Sequence, residues 1–186
     1  GIFTRLVYQL FSSFGLQSYG EMLSSFSQEG SLPQQFEKDL IHHLIVLYGG
    51  NPQKLTGMVT SGASEGNIFS LWIGKSFFNT KKIKSTALLA TQLVDDSVFK
   101  GANLMDIPVV FTPLDNMLGI SVKMLEKNIL SGVKKHIRGF YICITLGYKK
   151  TGTHDDYHGI TSLLEVLKKK YGVEFFVWCD AAQDGL

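Results

Sequence analysis

Two short segments carry residue types that can do chemistry. Ser61-Gly62-Ala63-Ser64-Glu65-Gly66-Asn67 falls between an apolar run, Met58-Val59-Thr60, and a stretch with Ile68, Leu71, Trp72 and Phe78 at helical spacing. A turn leading into a helix N-terminus presents free backbone N–H groups and the positive end of the helix dipole, which suits an anion. Ser64 adds a hydroxyl donor, and Gly62 and Ala63 let an anion approach the backbone. The same residues also fit a plain helix cap. They match neither a P-loop nor a Gly-x-Gly-x-x-Gly fingerprint. The second segment, Phe175-Phe176-Val177-Trp178-Cys179, reads as an apolar strand delivering Asp180-Ala181-Ala182 at its carboxyl end. A carboxylate there needs a partner. A protonated ring nitrogen is one, because the carboxylate keeps it protonated and the ring can then accept electrons. A turn cap or a basic side chain would also satisfy Asp180. A third cluster, His154, Asp155, Asp156 and His158, has the side chains of a metal site, yet its spacing matches no closed zinc pattern, and no metal is expected.

The elements that must position these residues alternate. Pro33 with Phe36, Leu40, Leu44 and Leu47 predicts a helix ended by Gly49-Gly50-Asn51-Pro52, followed by a short strand at Met58-Val59-Thr60. Apolar runs of strand length recur at Thr86 to Ala90, Ile107 to Phe111, Phe140 to Thr145 and Phe175 to Val177. Helical patterns lie between them, at about Ser97 to Met105, Ser121 to Lys134 and Tyr157 to Tyr171. Strands apolar on both faces and alternating with helices predict an α/β fold, a mostly parallel sheet with helices on both faces. Ligands of such sheets sit beyond the carboxyl ends of the strands, which directs attention to the turns after Thr60, Ala90, Thr145 and Cys179.

Composition excludes several classes. With 45% hydrophobic and 18% charged residues among 186, the chain is ordinary for a packed domain, and a net charge of +2 without a basic patch argues against nucleic acid. No stretch approaches the roughly 18 to 20 apolar residues of a membrane span. Cys143 and Cys179, each inside a strand-like run, read as thiols of a reducing, cytoplasmic compartment. Residues 1–30 carry an amphipathic pattern in Phe3, Leu6, Val7, Leu10, Phe11 and Phe14, expected to form a docking helix, and residues 31–186 are expected to form the main domain. Both ends read as interruptions of a longer protein.

Four segments in order carry a family resemblance. Gly57 to Asn67 resembles the phosphate-binding segment of the group II pyridoxal-phosphate decarboxylases, the family of the aromatic amino-acid, histidine and glutamate decarboxylases. Asp95-Asp96-Ser97-Val98-Phe99-Lys100 is similar to that family's His-x-Ser-Val-x-Lys, Thr145 to Asp156 to its Thr-x-Gly-Thr-Thr stretch with an acidic pair, and Asp180 to Gly185 to its Asp-Ala-Ala-x-x-Gly. The resemblance implies part of the large domain of the aspartate-aminotransferase-like fold and pyridoxal 5'-phosphate as cofactor. Ala63 and Ser64 would bind its phosphate, Asp180 its pyridine nitrogen, and Ala182 would pack under the ring, with Asp155 as a supporting acid. It also implies a homodimer, or pairing with a related subunit, and a small amino acid as substrate.

Departures from the pattern qualify the activity. Asp95 stands where the family has the histidine that stacks on the cofactor, and Lys149 where it has a threonine. Both are expected beside the cofactor and, being opposite in charge, within a few ångströms of each other. The family's Schiff-base lysine follows its Asp-Ala-Ala by more residues than the six after Asp180 here. The chain alone is therefore expected not to decarboxylate, and two readings follow: a carboxy-lyase completed elsewhere in the protein, or an inactive homologue serving as an interaction or structural subunit.

Overall fold

A computed structural model describes residues 32–185. The helix expected within residues 1–30 lies outside the described residues. The chain divides between Thr60 and Ser61. In the first unit, α1 (Leu32–Leu47) begins with Pro33 in its first turn and gives way at Gly49, whose φ of 72° is the left-handed conformation glycine tolerates. The short strand expected at Met58-Val59-Thr60 is absent. Its backbone is committed elsewhere: Val59 N–H donates to the Glu37 carboxylate at 2.7 Å rather than to a neighbouring strand.

The second unit runs α2 (Ala63–Thr80), β1 (Thr86–Ala90), α3 (Asp96–Leu104), β2 (Val109–Phe111), α4 (Val122–Lys134), β3 (Gly139–Thr145), α5 (Tyr157–Tyr171) and β4 (Glu174–Asp180). The four strands form one parallel sheet in the order β2-β1-β3-β4, with Leu88 paired to Val109 on one side and Tyr141 on the other, and Cys143 paired to Trp178. The second strand is shorter than its apolar run because Pro108 has no N–H to donate; its carbonyl instead accepts from Leu88 N–H at 2.8 Å.

Alternation along the strands divides the core in two. Leu88, Ala90, Tyr141 and Cys143 face one layer and pack with Leu71 and Phe78 of α2 and Val98 and Ala102 of α3. Leu89, Phe140, Ile142 and Ile144 face the other and pack with Leu125 and Ile129 of α4 and Ile160, Leu164 and Leu167 of α5. This is the expected parallel sheet with helices on both faces. Helix ends follow from local chemistry: Ser121 and Asp156 cap α4 and α5 through Met124 N and Gly159 N, while Gly172, at φ 62°, ends α5 behind Lys168, Lys169 and Lys170, whose charges complement the dipole. Among the described residues no helix is long and apolar enough to cross a membrane.

Candidate functional site

Ala63 and Ser64 are the first two residues of α2, so the expected turn into a helix N-terminus is present. Gly62 precedes them in extended conformation and supplies no capping side chain. The first intrahelical bond is Gly66 N to Gly62 O, 3.1 Å, which leaves the N–H groups of Ala63, Ser64 and Glu65 ahead of the helical ladder. Glu65 turns back instead, accepting from Ser61 N at 2.6 Å and Ser61 Oγ at 2.7 Å, and the Ser61 hydroxyl and N–H hold its carboxyl below the usual range. The side-chain cap that the sequence allowed is therefore not made, and the exposed Ser64 hydroxyl makes no hydrogen bond among the described residues.

Asp180 ends β4 beside this helix. Its Oδ2 accepts from Asn67 Nδ2 at 2.8 Å and its Oδ1 from Ala182 N at 3.3 Å. Between the two segments opens a cleft of about 250 Å³ lined by Ala63, Gly66, Asn67, Trp178, Asp180 and Ala182 among others. The geometry thus brings together Ala63, Asp180 and Ala182 of the expected site residues, while Ser64, the next residue of α2, does not line the cleft.

Asp155 sits beneath the neighbouring strand end, 5% exposed. Its carboxylate accepts from Thr145 N at 2.7 Å, Ile120 N at 2.7 Å and Tyr148 Oη at 2.8 Å, tying the loop after β3 to the start of α4. Burial pushes its pKa up against the pull of those donors. The same burial, and the nearby carboxylate, push the Tyr148 hydroxyl up. Thr145, paired across the sheet with Asp180, carries a buried hydroxyl without a hydrogen-bond partner of ordinary geometry, although the Cys143 thiol and Tyr148 hydroxyl lie close by. Gly147, at φ 88°, allows the loop to pass the strand end, since a Cβ there would meet Asp184 Oδ2 at 2.5 Å.

Asp95 and Lys149 do not pair as expected: no direct ion pair joins them among the described residues. Asp95 instead caps α3, accepting from Ser97 N at 2.9 Å and Ser97 Oγ at 2.5 Å. These bonds hold its carboxyl below the usual range, with exposed Lys149 acting only as a more distant charge. The polar cluster around His154 is likewise dispersed. Asp156 caps α5, Asp155 points inward, and His154 lies 3.3 Å from Asp184; no three potential ligands converge among the described residues.

The sequence reading missed the residue that joins these parts. Asn67, 4% exposed, bonds to Asp180, to Ser97 Oγ at 3.1 Å and, through its oxygen, to Trp178 Nε1 at 3.0 Å. It links the segments containing Ser64, Asp95 and Asp180. The signal was present: Asn67, Leu71, Gly74 and Phe78 are the buried residues of α2, one stripe at helical spacing with a polar side chain at its head.

The donors and acceptors fit a flat phosphorylated heteroaromatic. Free helix N–H groups can meet an anion, the Asp180 carboxylate a protonated ring nitrogen, and the small side chain of Ala182 a ring face.

No family model matches the chain. In sequence it is 25% identical over 158 residues to a tryptophan decarboxylase of Clostridium sporogenes, a match covering 80% of this chain and 36% of that protein. In structure it is similar to mouse CSAD in its apo form, with a TM-score of 0.76 and 18% identity over 97% of this chain and 37% of the other. The glutamate decarboxylase domain of a diaminobutyrate-pyruvate transaminase and L-2,4-diaminobutyrate decarboxylase from Vibrio parahaemolyticus gives a TM-score of 0.74, at 15% identity over 96% and 39% of the two chains. A sphingosine-1-phosphate lyase from Burkholderia pseudomallei gives 0.66, at 12% identity over 82% and 34%. The chain thus spans little more than a third of the length of these proteins. The resemblance read from the four segments is borne out.

Proposed function

For a chain with the fold of the group II pyridoxal-phosphate decarboxylases and a sequence related to one of them, we propose the role of cofactor cradle in a carboxy-lyase acting on an amino acid. The observation that carries this is the cleft in which the first turn of α2 and the Asp180-Ala181-Ala182 segment meet, joined by the Asn67–Asp180 hydrogen bond. Pyridoxal 5'-phosphate, when bound, supplies an electron sink for the pair left behind as CO2 departs. Ala63 and Ser64 would hold its phosphate by backbone N–H groups and the Ser64 hydroxyl, aided by the helix dipole. Asp180 would keep a proton on the ring nitrogen, and Ala182 would leave room for the ring. Asp155 would fix the end of β3, where Thr145 lies beside Asp180. Lys149, exposed in the loop after β3, and Asp95 would border the site, with Asp95 acting through Ser97.

The same reading places residues 1–30 at a subunit contact and residues 31–186 in the large domain, makes the working assembly a homodimer and puts the protein in the cytoplasm. Titration of the full-length protein with pyridoxal phosphate, followed by tryptophan fluorescence in a Trp72→Phe background, tests the cradle. Stoichiometric binding is expected, weakened by Asp180→Ala and competed by inorganic phosphate; absence of saturable binding refutes it. Release of labelled CO2 from a panel of carboxyl-labelled amino acids tests the lyase activity. One observation favours the second reading, an inactive homologue serving as a subunit: Asp95 directs its carboxylate into Ser97 and offers no flat face to a ring. Binding of the cofactor without CO2 release would support that reading.

A further inference from the structure

Asn67 is a buried polar side chain at the head of an otherwise apolar stripe, and burying an amide is costly unless every group on it is bonded. Its orientation follows from its partners. The Trp178 indole N–H can only donate, so the Asn67 oxygen faces it at 3.0 Å and the NH2 group faces the opposite way. One amide proton then reaches Asp180 Oδ2 at 2.8 Å and the other Ser97 Oγ at 3.1 Å. The proton of Ser97 goes to Asp95 Oδ1, so Ser97 accepts from Asn67 and cannot compete with it as a donor. Every proton in the chain from Trp178 to Asp95 has one direction. Asp180 is left with a strong donor on Oδ2 and only the long Ala182 N–H bond, 3.3 Å, on Oδ1. Its remaining lone pairs are available to a cationic N–H in the cleft.

We infer that Asn67 is a positioning residue, which fixes the Asp180 carboxylate in the orientation that meets the protonated ring nitrogen of pyridoxal phosphate. The inference rests on the function proposed above. Leucine would serve the packing stripe equally well; what it cannot do is hold Asp180, Ser97 and Trp178 in one bonded set.

The test compares two probes on the full-length protein: pyridoxal phosphate, and its analogue with the ring nitrogen replaced by C–H. Both share the phosphate and the aldehyde, so the ratio of their dissociation constants isolates the Asp180 contact. The wild type is expected to prefer pyridoxal phosphate by about tenfold or more, the scale of one charge-assisted hydrogen bond. Asn67→Leu should bring the two constants within about threefold of each other, with competition by inorganic phosphate unchanged. Asn67→Ala, which removes the same donor without adding bulk or charge beside Asp180, should do the same, and it decides the question if the leucine variant does not fold. Equal weakening of both probes, with the preference intact, marks a structural role only and overturns the inference. A wild type that binds neither probe, or binds both alike, overturns the proposed function and the inference with it.

Discussion

Replacing Asp155 by Asn changes one atom and should have a large effect. The carboxylate accepts from Ile120 N and Tyr148 Oη on Oδ1 and from Thr145 N on Oδ2. A carboxamide has one oxygen. Keeping it toward Ile120 and Tyr148 turns the NH2 group onto the Thr145 N–H, donor against donor at a site where the carboxylate bond is 2.7 Å. One buried backbone N–H is then unsatisfied, about 1 to 3 kcal/mol, and two charge-assisted bonds become neutral ones, roughly 0.5 to 1 kcal/mol each. Relief of burying a charge offsets part of this, leaving a net loss of about 3 kcal/mol. For a protein of this size that corresponds to a fall in melting temperature of roughly 6 to 12 °C. The measurement is thermal unfolding by circular dichroism, with Tyr148→Phe as the comparison. The phenylalanine variant removes one side-chain donor and leaves both backbone bonds, so its loss should be nearer 1 kcal/mol. A melting temperature for Asp155→Asn within about 2 °C of wild type, or a larger effect from Tyr148→Phe, would refute the claim that the backbone donors dominate.

Gly74→Ala gains up to about 1 kcal/mol of helix propensity, but its Cβ would lie 2.6 Å from Phe176 Cδ1 and 2.7 Å from Tyr141 Cε1. Overpacking between α2 and the sheet costs about 1 to 3 kcal/mol, so chemical denaturation should show net destabilisation. Asp95 has a folded pKa below its unfolded value, and the stability it contributes is present above the unfolded pKa and lost as pH falls through the folded one. The stability difference between wild type and Asp95→Ala should accordingly shrink on going from pH 7 to about pH 3; a difference that grows on acidification would contradict the capping role. Burial pushes both thiols up, but Cys179 is exposed and lines the cleft whereas Cys143 is fully buried. Iodoacetamide on the native protein should label Cys179 alone, as read by peptide mass, and saturating pyridoxal phosphate should slow that labelling.

Much of the fold was legible because buried strands and amphipathic helices leave strong periodic signals. Thr86–Ala90 was readable to the residue, and the helix ends at Ser121 and Gly172 have side chains or glycine where caps require them. Met58-Val59-Thr60 was not, since a three-residue apolar run is the same whether its N–H groups meet a strand or, as at Val59, a carboxylate twenty-two positions earlier. At the site, the family resemblance pointed to Ala63, Asp180 and Ala182, which line one cleft, yet opposite charge misjudged Asp95 and Lys149. A carboxylate two residues before a serine can satisfy itself locally, and Asp95 does so with Ser97, leaving no need for a distant cation. Asn67 was visible as a letter in the phosphate segment, but its role depends on Trp178 and Asp180, more than a hundred positions away.

That separation has a kinetic meaning. Asn67 and Asp180 are 113 positions apart, and β4, which delivers Asp180, is an edge strand of the described sheet and its last strand in sequence. During synthesis the N-terminal turn of α2 is complete long before its carboxylate partner emerges, and a ligand that spans the two can be held only by a chain that has both. The Asn67–Asp180 bond can close only once β4 has paired with β3. A ligand that needs both halves stabilises only molecules in which this strand is seated. Its binding therefore reports the completion of the sheet, and hydrogen exchange along Glu174–Asp180 should slow on saturation more than exchange in β1, whose amides are already enclosed between two neighbours.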